Sequence, residues 1–216
     1  MKVFITRPAQ PLHPLEERII SLWRRQYDNV EVIQAEPFEI HGDLLTRLWS
    51  DIRSSDEPEI IISESDFVPL PTIAWPPNIA AVFTTYCHQH LSFPTITPCR
   101  PNSAGWYMRF NRSLYKAEPA LDWLSASGPF NDAANFAYLR AHLTGVLDWS
   151  NSLLIEPMNT FHGKELLRCL RYPFGTHLFW TRHWYEPKKR LYPDGYTVAD
   201  HLAAASAMLK NLEPIL

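Results

Sequence analysis

Glycine is scarce in this 216-residue chain: there are 7, against 19 prolines. No Walker loop, dinucleotide glycine fingerprint or Gly-x-Ser-x-Gly elbow is present. Those motifs need glycine for tight turns and close backbone approach, so readings as a P-loop kinase, a Rossmann oxidoreductase or a serine hydrolase lose their support. Cysteine is also sparse. Cys87, Cys99 and Cys169 are an odd count without framework spacing, which fits a reducing compartment rather than a disulfide scaffold. The Cys87-His88-Gln89-His90 run with Cys99 lacks a clear fourth ligand for structural zinc. Neither sign of charge dominates, the net value being −3, so no global basic field marks a nucleic-acid binder. No stretch approaches the roughly 18 apolar residues of a membrane span. The N-terminus Met1–Pro8 lacks a signal peptide's apolar core, and a cytoplasmic location is expected.

Against these shortages stand 46% hydrophobic residues and 28 aromatics (11 Phe, 9 Tyr, 8 Trp). That is enough to bury a substantial core. With so much proline, many connections should be ordered loops held by aromatic packing.

The first third alternates strand and helix patterns. Lys2–Thr6 reads as a strand ended by Arg7-Pro8. Pro14 suits a first helical turn, and Leu15, Ile19, Leu22, Trp23 and Tyr27 follow near helical spacing. Glu16, Glu17, Arg24 and Arg25 are then expected to face water, acids early and bases late as the helix dipole favours. Val30–Ile33 reads as a strand, and residues 41–54 as a helix presenting Leu44, Leu45, Leu48, Trp49 and Ile52. The β-branched run Glu59–Ile62 reads as a buried strand, from which the chain turns out through Glu64, Ser65 and Asp66 to Pro69. This order predicts a parallel sheet with right-handed crossovers.

Further on, Ile79–Phe83 and Gly105–Phe110 read as strands, and Leu114–Ser125 as a helix disturbed by Pro119. Residues 91–103 read as loop, 133–144 as a helix, and Leu153–Pro157 as an edge strand. Thr197 is an N-cap candidate for a final helix, Val198–Leu212. The fold expected is a single α/β domain over 1–216 with a Rossmann-like mixed sheet flanked by helices. Residues 1–70 would form its βαβαβ part, and 71–216 a loop-rich remainder.

Five features can carry chemistry. Glu64 and Asp66, two residues apart at a strand exit, can hold a hard cation, or simply be solvated acids. His177, in an apolar run, can ligate Mn²⁺ or be a core histidine, and Arg182 can clamp a diphosphate or lie on the surface. Asp132 can cap a helix or remove a proton from a hydroxyl. Trp106, Tyr107, Trp180 and Trp184 can stack on a sugar or base, or pack the core. The stretch Arg182–Arg190, with Trp184, Lys188, Lys189 and Arg190, can grip a polyanion or be a solvated basic loop.

The alternating strands and helices, the acid-x-Asp motif, the aromatic strand, the acid at a helix start and the late histidine together resemble the nucleotide-sugar glycosyltransferases of the GT-A type. The resemblance implies that residues 1–70 are the nucleotide-binding part and 71–216 the acceptor side, with a divalent cation, Mn²⁺ or Mg²⁺, bridging the donor diphosphate. It implies Asp66 as metal ligand, Glu64 toward the ribose or metal shell, and His177 as a late metal or phosphate ligand. Thr6 and Arg7 would face the nucleotide base, and Asp132 the acceptor or its proton. The chain departs from the family in having Glu at the first motif position and two strands, not three, before it. The acceptor suggested, at the level of reaction only, is a hydroxylated DNA base of the kind that bacteriophage enzymes modify. Two other readings compete: a non-catalytic nucleic-acid or partner-binding α/β protein, and a metal-dependent phosphohydrolase.

Overall fold

The computed structural model describes residues 1–71, 75, 79–86, 102–117, 152–155, 158–162, 165–178, 198–212 and 214. Five elements open the chain: β1 (Lys2–Arg7), α1 (Pro14–Gln26), β2 (Val30–Gln34), α2 (His41–Ser54) and β3 (Glu59–Glu64). They are followed by β4 (Phe67–Pro69), β5 (Ala81–Tyr86), β6 (Asn102–Asn111), α3 (Arg112–Ala117), β7 (Ser152–Ile155), β8 (Met158–His162), β9 (Glu165–Tyr172), β10 (Gly175–His177) and α4 (Val198–Leu212).

The main sheet has six strands in the order β2-β1-β3-β6-β5-β7. β1 pairs parallel with both β2 and β3, whereas β6 runs antiparallel to β3 and to β5. The sheet is therefore mixed, with a parallel block at its N-terminal half. Side chains alternate across it as strand geometry requires. Val3, Ile5 and Ile61 point to one face, packing with Leu15, Ile19 and Trp23 of α1 and with Ala205, Met208 and Leu209 of α4. Phe4, Ile60 and Ile62 point to the other, with Leu45, Leu48, Trp49 and Ile52 of α2 and Leu114 and Tyr115 of α3. Helices thus cover both faces of the parallel block, which explains why the centre of β3, Ile60–Ile62, is apolar on both sides.

A second sheet has the order β4-β10-β9-β8. It begins directly after the Glu64–Asp66 turn, because Phe67–Pro69 pairs antiparallel with Gly175–His177. Pro69 therefore lies in a short edge strand rather than simply ending the chain's exit from β3. An edge is where a residue without a backbone N–H is tolerated.

Two local readings need correction. Glu16 is buried, not turned to water, because its carboxylate is engaged on the inner side of α1. β6 begins at Asn102, inside the stretch read as loop, and pairs there with Thr84–Tyr86 beyond a register shift. The helix after β6 is described over Arg112–Ala117; the remainder of the expected Leu114–Ser125 helix, the 133–144 helix and Thr197 lie outside the described residues.

Candidate metal and nucleotide site

In the order β2-β1-β3, the chain leaves β1 toward one neighbour and returns to the other side of it. That reversal is a topological switch point, and open α/β sheets bind ligands at the carboxyl ends of the strands there. Thr6 of β1 is the register partner of Glu64 of β3 across this boundary. Thr6 is buried and donates its hydroxyl to the Ser63 carbonyl at 3.3 Å, so it braces the end of β3. Ser65 N–H donates to the Thr6 carbonyl at 3.0 Å, carrying the ladder one residue past the strand.

The two acids leave this edge together with a histidine from the second sheet. β10 sets His177 opposite Phe67, one residue after Asp66. His177 Nε2 lies 3.2 Å from Asp66 Oδ1 and 3.5 Å from Glu64 Oε2. One ligand atom from each of the three residues lies within 4.8 Å of the others. Asp66 and His177 are each only 2% exposed, while Glu64 is half-buried. Burial opposes a charged His177 ring, but the Asp66 and Glu64 carboxylates outweigh it and raise its pKa above the ordinary imidazole value.

These residues fit a divalent cation. An octahedral ion held at about 2.1 Å sets adjacent ligands about 3.0 Å and opposite ligands about 4.2 Å apart. The observed spacings of 3.2 and 3.5 Å are close to the adjacent separation. Two carboxylates and one imidazole would leave other positions for substrate oxygens.

His41, at the start of α2, was not singled out by sequence. Its Nδ1 lies 3.7 Å from Glu64 Oε1, and its Nε2 lies 3.4 Å from Thr6 Oγ1. Nothing in its helical periodicity marks it; only the pairing of β1 with β3 puts those two partners beside it. Arg7 donates to Gln34 Oε1 at 2.9 Å and to the Gln10 carbonyl, bracing the ends of β1 and β2. Trp106 lies in β6, but its side chain is outside the described residues, as are Asp132, Arg182, Trp184, Lys188, Lys189, Arg190 and the Cys87–Cys99 region. No helix among the described residues is long and apolar enough to cross a membrane.

No protein-family model matches the chain, and no curated protein matches it. Among solved structures, it is similar to a glycosyltransferase involved in glycosylation of the major capsid of PBCV-1, at 12% identity and TM-score 0.43, covering 71% of this chain and 81% of that one. It is similar to A197 from STIV at 10% identity and TM-score 0.46, covering 84% and 96%. It is also similar to CMP:2-keto-3-deoxy-manno-octonic acid synthetase complexed with CTP, at 12% identity and TM-score 0.42, covering 75% and 91%.

Proposed function

We propose that this protein is a metal-dependent transferase that moves a sugar from a nucleotide-sugar donor to a hydroxyl acceptor. The observation that carries the reading is the meeting of Glu64, Asp66 and His177 at the carboxyl edge of β3, beside the switch point of the sheet. Glu64, Asp66 and His177 would hold the cation, and the imidazole favours a first-row ion such as Mn²⁺ over Mg²⁺. A bound cation there supplies charge neutralisation to a departing diphosphate.

The chain's own groups divide the remaining work. Asp66 and His177, fixed by burial, hold their ligand atoms in place before substrate arrives, which avoids reorganisation during reaction. Glu64 is half-buried and faces His41; it is assigned to the donor's ribose or the metal shell. Thr6 and Arg7, at the adjoining strand end, are assigned to the base side. Arg182 is assigned to the diphosphate, and Asp132 to removal of the acceptor's proton. The proposed acceptor is a hydroxylated base in DNA, gripped by Trp106, Trp184, Lys188, Lys189 and Arg190.

The test is a panel of nucleotide sugars with Mn²⁺, read by thermal shift and by analysis of the products, for the native protein and Asp66→Ala. One nucleotide sugar should stabilise the native protein and not the variant. Release of inorganic phosphate from nucleotides without acceptor would instead mark a phosphohydrolase. If no nucleotide sugar shifts the native protein, or if Asp66→Ala responds equally, the transferase reading is wrong. Binding to DNA should weaken steeply with salt; a flat response removes DNA as the acceptor.

A further inference from the structure

The first helix touches the acid-x-Asp turn at two points. Glu16 and Trp23 are seven residues apart on α1, two turns along the same face. Ser65, the residue between the two acids, donates its hydroxyl to Glu16 Oε1 at 2.8 Å. Trp23 Nε1 donates to the Phe67 carbonyl at 2.9 Å. Asp66 is therefore flanked on both sides by residues that α1 holds. Its own carbonyl accepts from Leu178 N–H at 3.1 Å, the residue after His177.

Glu16 has a second attachment. Its Oε2 accepts the backbone N–H of His13 at 2.9 Å, closing the capping box that starts α1. One buried carboxylate thus joins the helix N-terminus, the β1–α1 connection and the metal turn. A carboxylate is a costly way to fill a buried position, since an apolar side chain there would avoid desolvating a polar group. What it offers instead is two directional acceptors at fixed positions. Groups that orient metal ligands through hydrogen bonds alter metal affinity without touching the metal.

We infer that Glu16 is a positioning residue of the cation site, acting through the Ser65 hydroxyl to set the direction in which Asp66 presents its oxygens. The inference rests on the metal site proposed above. Ser65→Ala cuts the link while leaving the helix cap whole. Glu16→Gln offers one oxygen where two acceptors are needed.

The experiment is titration of Mn²⁺ alone, followed by its electron paramagnetic resonance signal, into the native protein, Ser65→Ala, Glu16→Gln, the double variant and Asp66→Asn. Metal-free melting curves on the same samples confirm that each is folded at the titration temperature. Each single variant should bind Mn²⁺ about 10-fold or more weakly, as loss of a ligand-orienting partner does. The double variant should be no weaker than the worse single variant, because both cut one link. A purely structural role predicts lower metal-free melting temperatures with unchanged Mn²⁺ affinity, and that result overturns the inference. If Glu16→Gln does not fold, Ser65→Ala decides alone. Failure of the native protein to bind Mn²⁺ would sink the metal site and this inference together. Native binding that Asp66→Asn abolishes and Ser65→Ala leaves intact would sink this inference only.

Discussion

His177 Nε2 and Asp66 Oδ1 meet at 3.2 Å inside the protein, one at the end of β10 and the other in the turn before β4. The antiparallel pairing of Phe67–Pro69 with Gly175–His177 brings them together, so the site depends on the contact between two distant segments. A cation bound to the folded protein alone adds roughly 2.7 kcal/mol at a hundred times its dissociation constant. For a chain of this size that raises the melting temperature by roughly 5–10 °C. Mn²⁺ should do this for the native protein, and a chelator should reverse it. In His177→Gln the shift should largely disappear. An undiminished shift in that variant, measured by calorimetry, would move the cation elsewhere.

Much of the architecture was legible because its signals are local. The α2 boundaries follow from apolar spacing, and Pro14 with early acids marks α1. The apolar run Ile60–Ile62 reads as a covered strand because helices lie on both faces of its sheet. The features missed are non-local. Polarity alone sends Glu16 to solvent; the nearby His13 backbone N–H and the Ser65 hydroxyl, far along the chain, hold it inside. β9 and β10 carry no such signal: Glu165–Tyr172 has no clean period-2 pattern, and Gly175–His177 is only three residues long. The acids stood out as a motif, but their spacing could not say that a histidine from the second sheet would lie against them.

Gly175 is where the second sheet admits no side chain. A Cβ there would overlap the Phe67 ring and come within 2.7 Å of the Val68 carbonyl. Both obstacles belong to β4, so relief requires β10 to move away from it. Gly175→Ala should cost about 1–3 kcal/mol, the usual range for overpacking. It should also weaken Mn²⁺ binding, since His177 lies two residues on along the same strand. Chemical denaturation and Mn²⁺ titration check the two effects separately. A destabilised variant with native metal affinity would show that β10 can shift without carrying His177 with it.

Trp23 combines a packing role with a single polar contact. Its indole stacks with Tyr107 at a centroid distance of 6.4 Å, and its N–H satisfies the Phe67 carbonyl. Trp23→Phe keeps an aromatic ring and leaves that carbonyl without its donor. An unsatisfied buried group costs about 1–3 kcal/mol. Urea unfolding should show a loss in that range, with an unchanged dependence on denaturant. A loss under about 0.5 kcal/mol would mean that the carbonyl finds another donor.

Tyr107 is expected to contribute to the alkaline limit of the fold. It is buried against Phe174 and Phe67, at centroid distances of 4.3 and 5.4 Å. Burial raises its pKa far above the ordinary phenol value, and burial also raises that of Tyr172. In the unfolded chain both phenols ionise near pH 10. The folded state keeps its protons there, so stability is fully present below about pH 10 and falls as pH rises beyond it. Tyr107→Phe removes one of the groups that ionise on unfolding and should make the decline between about pH 10 and 11 shallower. Unfolding free energies at successive pH values measure the slope. If the variant loses stability as steeply as the native protein, ionisation of Tyr107 is not what limits the fold in alkali.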